Sequence, residues 1–556
     1  MADTLPECLV HKILSFLRFR EAFKKIGVSK TWLQACLTLS SLEFNYLGFP
    51  REGKLIDQIL DRYRDGKIPI EKFEFLYQSN FRHVYPMIDK WLDVALQNGV
   101  RDLTYKGMGS CNLCNPQLYY PLPILTILAT TKSLRELVLW YCNLKGVSLS
   151  TSHDMVIANC YSLRKLTLNM IYLDDNMLQT LLARCPLIET LIIQQCTGLT
   201  KIEVLNLEKI KSLTIRLSGN ACVTIHAPTL EYLTYNGSTD ERSMLGVVEC
   251  RNLKSLEVGY EMISDGFLEQ LISRSQFLET LILRNLNTRL ENLNLCGCQS
   301  LKLLKIVSCK GIEEIGASNL VTLEYEGDHV PQLNLAKESR QLEHLELFLY
   351  PNNLNDAWFR KLRKFLSNSK SCSQVTLKLW NCDEINWREL KLNHRIANDP
   401  QVDTYPQVDV LNVGIHVSGQ HQIFLDALLW SCCPRSINLV SSGKMIKCFI
   451  DNLTDKKNSH SVSGGSKPWH SQLKSFIDHL MYLSNWDDGS KPWWHRQFKE
   501  VKACRHPREL ISTWVLLTKN LDSVSFILDC SYNSGGVYPM IDKWLDVALK
   551  NGVQDV

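Results

Sequence analysis

The feature that most constrains this chain is a pattern of leucines that recurs between about residues 120 and 415. Its form is Leu-x-x-Leu-x-Leu-x-x-Cys, and the clearest copies begin at Leu134 and Leu301. Further copies begin at Leu163, Ile188, Ile210, Leu230, Leu253, Leu278, Leu290, Leu320 and Leu342, with weaker ones at Gln374 and Val408. Most copies start 19 to 29 residues after the one before, which is the period of units that stack into a solenoid.

Each copy predicts one short strand. Alternate residues of a strand point to opposite sides, so the two inner apolar residues of a copy face a core and the leading leucine fills the turn before them. Helical segments at 176–184 and 267–272 separate some strands, whereas shorter spacers around Leu230, Leu290 and Leu320 predict loops. We predict an α/β leucine-rich-repeat solenoid over residues 120–440, with a parallel sheet on its concave face.

The first 44 residues have a different pattern, in which apolar residues recur at helical spacing. Three short helices are predicted, the second around residues 21–26 and the third after Ser29. The apolar stripe of the first helix consists of Leu9, Val10, Ile13, Leu14 and Leu17. A cluster this small exposes more apolar surface than it can bury on itself, so it needs a partner. The alternative is an ordinary helical cap that closes the core of the next domain.

This cluster resembles an F-box over roughly residues 4–44. The resemblance rests on Leu5-Pro6, on Ile13-Leu14-Ser15-Phe16-Leu17 and on Val28-Ser29-Lys30-Thr31-Trp32, in that order. It implies docking on a Skp-type adaptor that links the chain to a cullin–RING ubiquitin ligase. The residues implied in adaptor binding are Leu5, Pro6, Leu9, Ile13, Leu14, Leu17, Val28 and Trp32. One departure is the segment 23–27, which has two lysines and a glycine where the family has a short uninterrupted helix.

An F-box followed by leucine-rich repeats resembles a large plant family of substrate receptors for SCF-type ligases. The resemblance implies a protein without enzymatic activity or cofactor, whose repeats bind a target protein for ubiquitination by other subunits. A non-degradative scaffold or decoy with a weakened F-box is the alternative. A small-molecule sensor is a third, and it requires several lysines and arginines to converge on one pocket.

Target contact is predicted at open positions of the repeats, which flank the inward pair and face solvent. Aromatic residues and arginines dominate the energetics of protein interfaces, so large aromatic and cationic side chains at these positions are the candidates. They are Trp140, Arg216, Arg284, Phe348, Lys378 and Trp380. The alternative for the aromatic residues is burial under loops or under the N-terminal segment.

Composition narrows the class of protein further. The chain has 62 basic and 58 acidic residues, a net charge of +4, which predicts no nucleic-acid partner. No apolar run is long enough to cross a membrane, and 20 cysteines without a secretory signal predict reduced thiols in the nucleus or cytoplasm. Cys111 and Cys114 have the spacing of half a zinc site but lack a second pair, and no catalytic motif is present. We therefore predict neither a metal site nor a catalytic residue.

The predicted domain order is an F-box at 1–44, an irregular linker and N-terminal repeat cap at 45–119, and the solenoid at 120–440. A flexible linker at 441–470 and a C-terminal region at 471–556 follow. That region ends in a partial duplication, because residues 537–556 match residues 84–103 at 17 of 20 positions. The duplicated segment is either a folded element or the product of a wrongly joined gene.

Overall fold

The structure is a computed structural model that divides the chain into two compact units. The first comprises Met1–Leu320 and Ala336–Ser339, and the second comprises Val321–Leu335 and Arg340–Val556. The described residues are 5–17, 19–24, 30–47, 50–77, 84–107, 119–144, 159–238, 244–260, 265–286, 291–309, 311–335, 342–351, 354–368, 372–379, 406, 408–415, 421–432, 434–441, 500–505 and 524–525.

The first unit begins with three helices, which are followed by strands and further helices. Its helices are α1 (Glu7–Ser15), α2 (Phe19–Lys24), α3 (Lys30–Cys36), α4 (Pro50–Gly66), α5 (Tyr85–Gln97), α6 (Ile124–Thr130), α7 (Asp175–Arg184) and α8 (Asp265–Arg274). Its strands are β1 (Ser41–Tyr46), β2 (Lys72–Tyr77), β3 (Asp102–Gly107), β4 (Tyr120–Pro121), β5 (Glu136–Trp140), β6 (Cys142–Asn143), β7 (Lys165–Asn169), β8 (Thr190–Gln194), β9 (Lys201–Val204), β10 (Ser212–Arg216), β11 (Cys222–His226), β12 (Tyr232–Asn236), β13 (Met244–Glu249), β14 (Ser255–Gly259), β15 (Thr280–Arg284), β16 (Asn292–Leu295), β17 (Leu303–Val307) and β18 (Glu314–Ala317).

The main sheet of the first unit is parallel throughout. Its strands pair in the order β1, β2, β3, β5, β7, β8, β10, β12, β14, β15 and β17. Inward residues meet their equivalents in register: Leu137 lies opposite Leu166, and Leu166 opposite Leu191. All three are fully buried, as are the leading residues Leu134 and Leu163. The predicted parallel sheet is confirmed, and its apolar core lies behind it.

A left-handed residue follows most strands of the repeats. The backbone φ is positive at Tyr141, Met170, Gln195, Tyr260, Asn285 and Ser308, each one residue past a strand of the main sheet. The residue at this turn adds one more backbone hydrogen bond between neighbouring repeats. For example, the Asn285 amide donates to the Val307 carbonyl oxygen at 2.7 Å. The chain leaves the sheet at that point, so these six repeats turn away from the ladder in the same manner.

Short strands also form away from the main sheet, where we predicted loops. β11 pairs in parallel with β9 and β13, and β16 pairs with β18. The predicted loops before Leu230 and Leu320 are therefore wrong, because β11 and β18 lie there. The copy at Leu290 contributes its strand β16 to this second set of strands and not to the main sheet. Alternating buried residues such as Val223 and Ile225 explain these strands.

The second unit repeats the same plan. Its elements are β19 (Thr322–Gly327), β20 (Gln332–Leu335), β21 (His344–Leu349), α9 (Asp356–Ser367), β22 (Cys372–Leu379), β23 (Val408–Ile415), α10 (His421–Cys432), β24 (Pro434–Ser441), β25 (Glu500–Arg505) and β26 (Val524–Ser525). β19, β21, β22, β23, β24, β25 and β26 pair in that order, all in parallel. Helices α9 and α10 pack together through Phe359 and Phe424, whose ring centroids lie 6.0 Å apart.

Several predictions fall outside the described residues. They concern the predicted linker beyond residue 441, the duplicated segment 537–556, and Cys111 with Cys114. Among the helices that the structure describes, none has both the length and the apolarity needed to span a bilayer.

Candidate interaction surfaces

The N-terminal helices divide their apolar stripe between a buried and an exposed half. Val10 and Leu14 are fully buried against the cluster, whereas Leu9 and Ile13 keep 49% and 41% of their surface exposed. Leu5, Pro6 and Leu17 are exposed as well, and Trp32 is half-buried. Val28 lies outside the described residues.

Phe16 is the most exposed large apolar side chain of the described residues, at 78%. It was not among the predicted adaptor contacts, although it lies inside the run 13–17. Its exposure next to Leu17 widens the apolar surface at the end of α1. We call the exposed apolar set Leu5, Leu9, Ile13, Phe16 and Leu17 the N-terminal face.

Contacts with the first strand and with α4 hold this cluster in place. Phe19 packs edge-on against Phe44 of β1, with ring centroids 5.4 Å apart. The buried Tyr63 hydroxyl donates to the Leu39 carbonyl oxygen at 2.8 Å, and burial raises the pKa of Tyr63 above its usual range. The N-terminal face is thus carried on a support that is continuous with the repeats of the first unit.

The open face of the main sheet presents side chains in rows, since parallel strands in register place equivalent residues side by side. The last open position of each strand forms what we call the edge row. It runs Lys106, Trp140, Asn169, Gln194, Arg216, Asn236, Gly259, Arg284 and Val307. The middle row, two residues earlier, runs Thr104, Val138, Thr167, Ile192, Thr214, Thr234, Glu257, Ile282 and Lys305.

Ion pairs between adjacent strands neutralise the charges toward both ends of these rows. Lys106 Nζ lies 2.6 Å from Glu74 Oε1, at the side of the first strands. Arg284 Nε lies 2.8 Å from Glu257 Oε1, at the opposite side. The predicted target contact Arg284 is therefore already engaged by a carboxylate.

The middle of the open face, over β8, β10 and β12, has no charge in either row except that of Arg216. Arg216 is exposed and has no ion pair within the described part of the chain. A hydrogen bond fixes the orientation of the neighbouring Gln194 amide, because Asn169 Nδ2 donates to Gln194 Oε1 at 3.0 Å. A small cavity of about 160 Å³ adjoins Arg216 and is lined in part by Gly198, Ile202 and Gly219.

In the second unit, the predicted contacts Phe348 and Lys378 lie on adjacent strands. Lys378 Nζ is 2.6 Å from Glu346 Oε1 and 5.4 Å from the centroid of the Phe348 ring. Phe348 in turn packs on Tyr350 with centroids 5.7 Å apart. The lysine is thus shared between a carboxylate and an aromatic face. Trp380 lies outside the described residues.

The predicted target residues that the structure describes fall into two sets, one in each unit. Trp140, Arg216 and Arg284 share the edge row of the first unit, with Trp140 half-buried, whereas Phe348 and Lys378 belong to the second unit. Sequence reasoning did not select Gln194 and Asn236, the direct neighbours of Arg216. The sequence pattern could have identified them, because each occupies the same position in its copy of the repeat as Arg216 does in its own.

The described residues contain no group of three or more histidine, cysteine, aspartate or glutamate side chains that could hold a metal ion. Buried thiols are frequent instead. Burial raises the pKa of Cys309 to about 11 and that of Cys372 to about 12. These cysteines fill the core as small apolar side chains.

Comparison with known sequences agrees with this fold. The At1g61320/AtMIF1 leucine-rich-repeat domain matches residues 59–248 and 240–362. The predicted α/β leucine-rich-repeat solenoid is confirmed.

Similar proteins come from Arabidopsis thaliana. Putative F-box/FBD/LRR-repeat protein At5g44950 is 24% identical over 263 residues, which are 45% of this chain and 55% of that protein. Putative F-box/LRR-repeat protein At3g18150 is 25% identical over 316 residues, 56% of this chain and 62% of that protein. FBD-associated F-box protein At3g52670 is 24% identical over 421 residues, 71% of this chain and 93% of that protein. The chain spans less than two thirds of the first two relatives and most of the third.

Proposed function

This chain belongs to the plant F-box/leucine-rich-repeat proteins with an At1g61320/AtMIF1-type repeat domain, and on that premise we propose that it is a substrate-recognition subunit of an SCF-type cullin–RING E3 ubiquitin ligase. The N-terminal face binds a Skp-type adaptor, and the open face of the repeats binds a target protein. The ubiquitin transfer itself is done by other subunits, so the chain needs neither catalytic residues nor a cofactor.

The observation that carries this proposal is the N-terminal face. Five large apolar side chains stay exposed on a cluster of three short helices, although Val10 and Leu14 of helix α1 are fully buried. Exposed apolar groups this close together mark an interaction site more often than a solvated surface. Their place in a segment that resembles an F-box identifies the expected partner as the adaptor.

The anchoring of the cluster fits the same role. A ligase must hold its target at a fixed distance from the ubiquitin-carrying subunit, which requires a stiff link between adaptor and target surfaces. The contacts of Phe19 with Phe44 and of Tyr63 with Leu39 supply such a link on the adaptor side.

The test is binding of the purified full-length chain to a Skp-type adaptor, with substitutions on the N-terminal face. We expect Ile13→Asp and Leu9→Asp each to weaken adaptor binding by tenfold or more, because a carboxylate would be buried in an apolar interface. Both side chains are already about half exposed to solvent, so neither change should lower the unfolding midpoint by much.

The matched control is Leu55→Asp on helix α4, whose side chain is 46% exposed but lies outside the N-terminal face. It should bind the adaptor like the wild type. If the folded wild-type chain fails to bind a panel of plant adaptors, the receptor function is wrong. A scaffold or decoy that binds partners without recruiting the ligase then takes its place.

A further inference from the structure

We propose that the open face over β8, β10 and β12 binds one aspartate or glutamate side chain within an otherwise uncharged segment of the target. This inference rests on the proposed function, since it names the class of target segment that the repeats take. The carboxylate lies against Arg216, and Gln194 and Asn236 flank it.

The first step is the free charge of Arg216. The two other cations of the edge row are Lys106 and Arg284, and each has a carboxylate oxygen within 2.8 Å on an adjacent strand. Arg216 occupies the same row without such a partner among the described residues, and it is exposed. A guanidinium group that the fold does not neutralise is available to bind a carboxylate through two parallel hydrogen bonds.

The second step is the pair of amides beside it. Gln194 and Asn236 lie opposite Arg216 in the register of its two neighbouring strands, and adjacent strands are separated by about 4.8 Å. Gln194 accepts from Asn169 through Oε1, which leaves its Nε2 hydrogens as donors. Asn236 turns Oδ1 toward Gly259, where a Cβ would lie only 2.8 Å away. The Asn236 Nδ2 group lies on the other side of that amide. Three side-chain donors therefore lie in a row.

The third step concerns what surrounds this row. The middle-row neighbours Ile192, Thr214 and Thr234 are uncharged, so a second charge in the target would lose its water without a partner. The segment is thus expected to be polar or small on both sides of its acid.

The cavity next to Arg216 adds a preference beside the carboxylate. Its lining combines Ile202 and Leu217 with two glycines, and its volume is about 160 Å³. A small aliphatic side chain next to the acid can enter it, and a second acid cannot do so favourably.

The experiment uses two pools of short synthetic peptides and the full-length chain immobilised on beads. Both pools draw their flanking residues from Ser, Thr, Asn, Gln, Ala and Val. One has Asp at the centre and the other has Asn, which has the same shape without the charge. We expect the wild-type chain to retain the Asp pool about tenfold more than the Asn pool, as for one charge-assisted pair.

Two variants decide the assignment. Arg216→Gln should remove the preference for the Asp pool. Arg274→Gln, which loses the same charge from an exposed position on helix α8, should keep it. The inference is overturned if the wild type retains both pools equally, or if Arg216→Gln keeps the preference while remaining folded by its unfolding midpoint.

Adaptor binding of the same three proteins separates this inference from the proposed function. A wild-type chain that binds the adaptor but shows no preference for the Asp pool would leave the receptor role in place and reject only the carboxylate site. A chain that selects the Asp pool through Arg216 but binds no adaptor would keep the site and reject the receptor role.

Discussion

The guanidinium of Arg363 lies over the ring of Trp430, 4.5 Å from its centroid, and donates a hydrogen bond of 2.6 Å to the Trp430 carbonyl oxygen. The arginine is 5% exposed, on helix α9, and the tryptophan belongs to α10. This contact joins helices α9 and α10 by a cation–π interaction and a hydrogen bond from a charged donor.

We expect Arg363→Met to lower the local stability of these helices by about 2–3 kcal/mol, because the Trp430 carbonyl loses a charged donor in a buried position. Hydrogen exchange over 356–367 and 421–432 would show faster exchange in both helices. Lys364→Met is the control, since that side chain is exposed one residue further along α9. Equal exchange in both variants would contradict the contact.

Truncation should destabilise the protein much more at Leu14 than at Leu9. Leu14 is fully buried and Leu9 is about half exposed, so Leu14→Ala is expected to cost about 3 kcal/mol and Leu9→Ala less than about 0.5 kcal/mol. Hydrogen exchange across α1 and α3 measures the difference. An equal loss of protection would mean that the two leucines are equally buried in solution.

The left-handed turn after β15 predicts a residue-specific cost at Asn285. Its φ is 48° and its amide donates to the Val307 carbonyl. Asn285→Val should lower the unfolding midpoint by an amount equivalent to roughly 1–3 kcal/mol, because a β-branched residue is strained there. Asn285→Gly, which tolerates this φ, should be close to neutral. A valine variant as stable as the wild type would show that the turn adopts another conformation.

Alkaline pH should destabilise the chain through its buried thiols. Burial raises the pKa of Cys309 to about 11, whereas an unfolded thiol ionises near 8.5. The unfolded state therefore releases the proton first. Stability is complete below about pH 8.5 and falls by about 1.4 kcal/mol per pH unit between the two values.

The measurement is the urea midpoint at neutral pH and near pH 10, in the presence of a reductant. Cys309→Ala should lower the midpoint at neutral pH but reduce its loss on raising the pH. Cys222→Ala, which removes an exposed thiol, should leave the loss unchanged. A pH dependence that is the same in all three proteins would contradict the burial of Cys309.

The repeats were predictable because each copy carries its own signal. The inward leucines of a copy, such as Leu137 and Leu139, predict one strand by alternation, and the recurrence of the copies predicts its parallel neighbours. The additional strands β9 and β11 were missed, because their alternation covers only four or five residues and the longer repeat does not require them.

The state of individual surface residues was not predictable, since it depends on neighbours far along the chain. A helical stripe shows that Leu9 and Leu14 are both apolar, but the packing of α1 in the folded cluster decides which of them is buried. Likewise Arg284 and Arg216 occupy equivalent positions. Arg284 is neutralised because Glu257, 27 residues earlier, lies on the adjoining strand.

The strict alternation along each strand separates two sets of sequence positions. Inward residues such as Leu213 and Ile215 form the core on which folding depends, while the outward residues between them form the surface that faces solvent. Substitutions in one set affect the other set little, because the two sets lie on opposite sides of the same sheet. Under the proposed function, the target can therefore change through single substitutions at outward positions, and each intermediate keeps the inward core that holds the fold together.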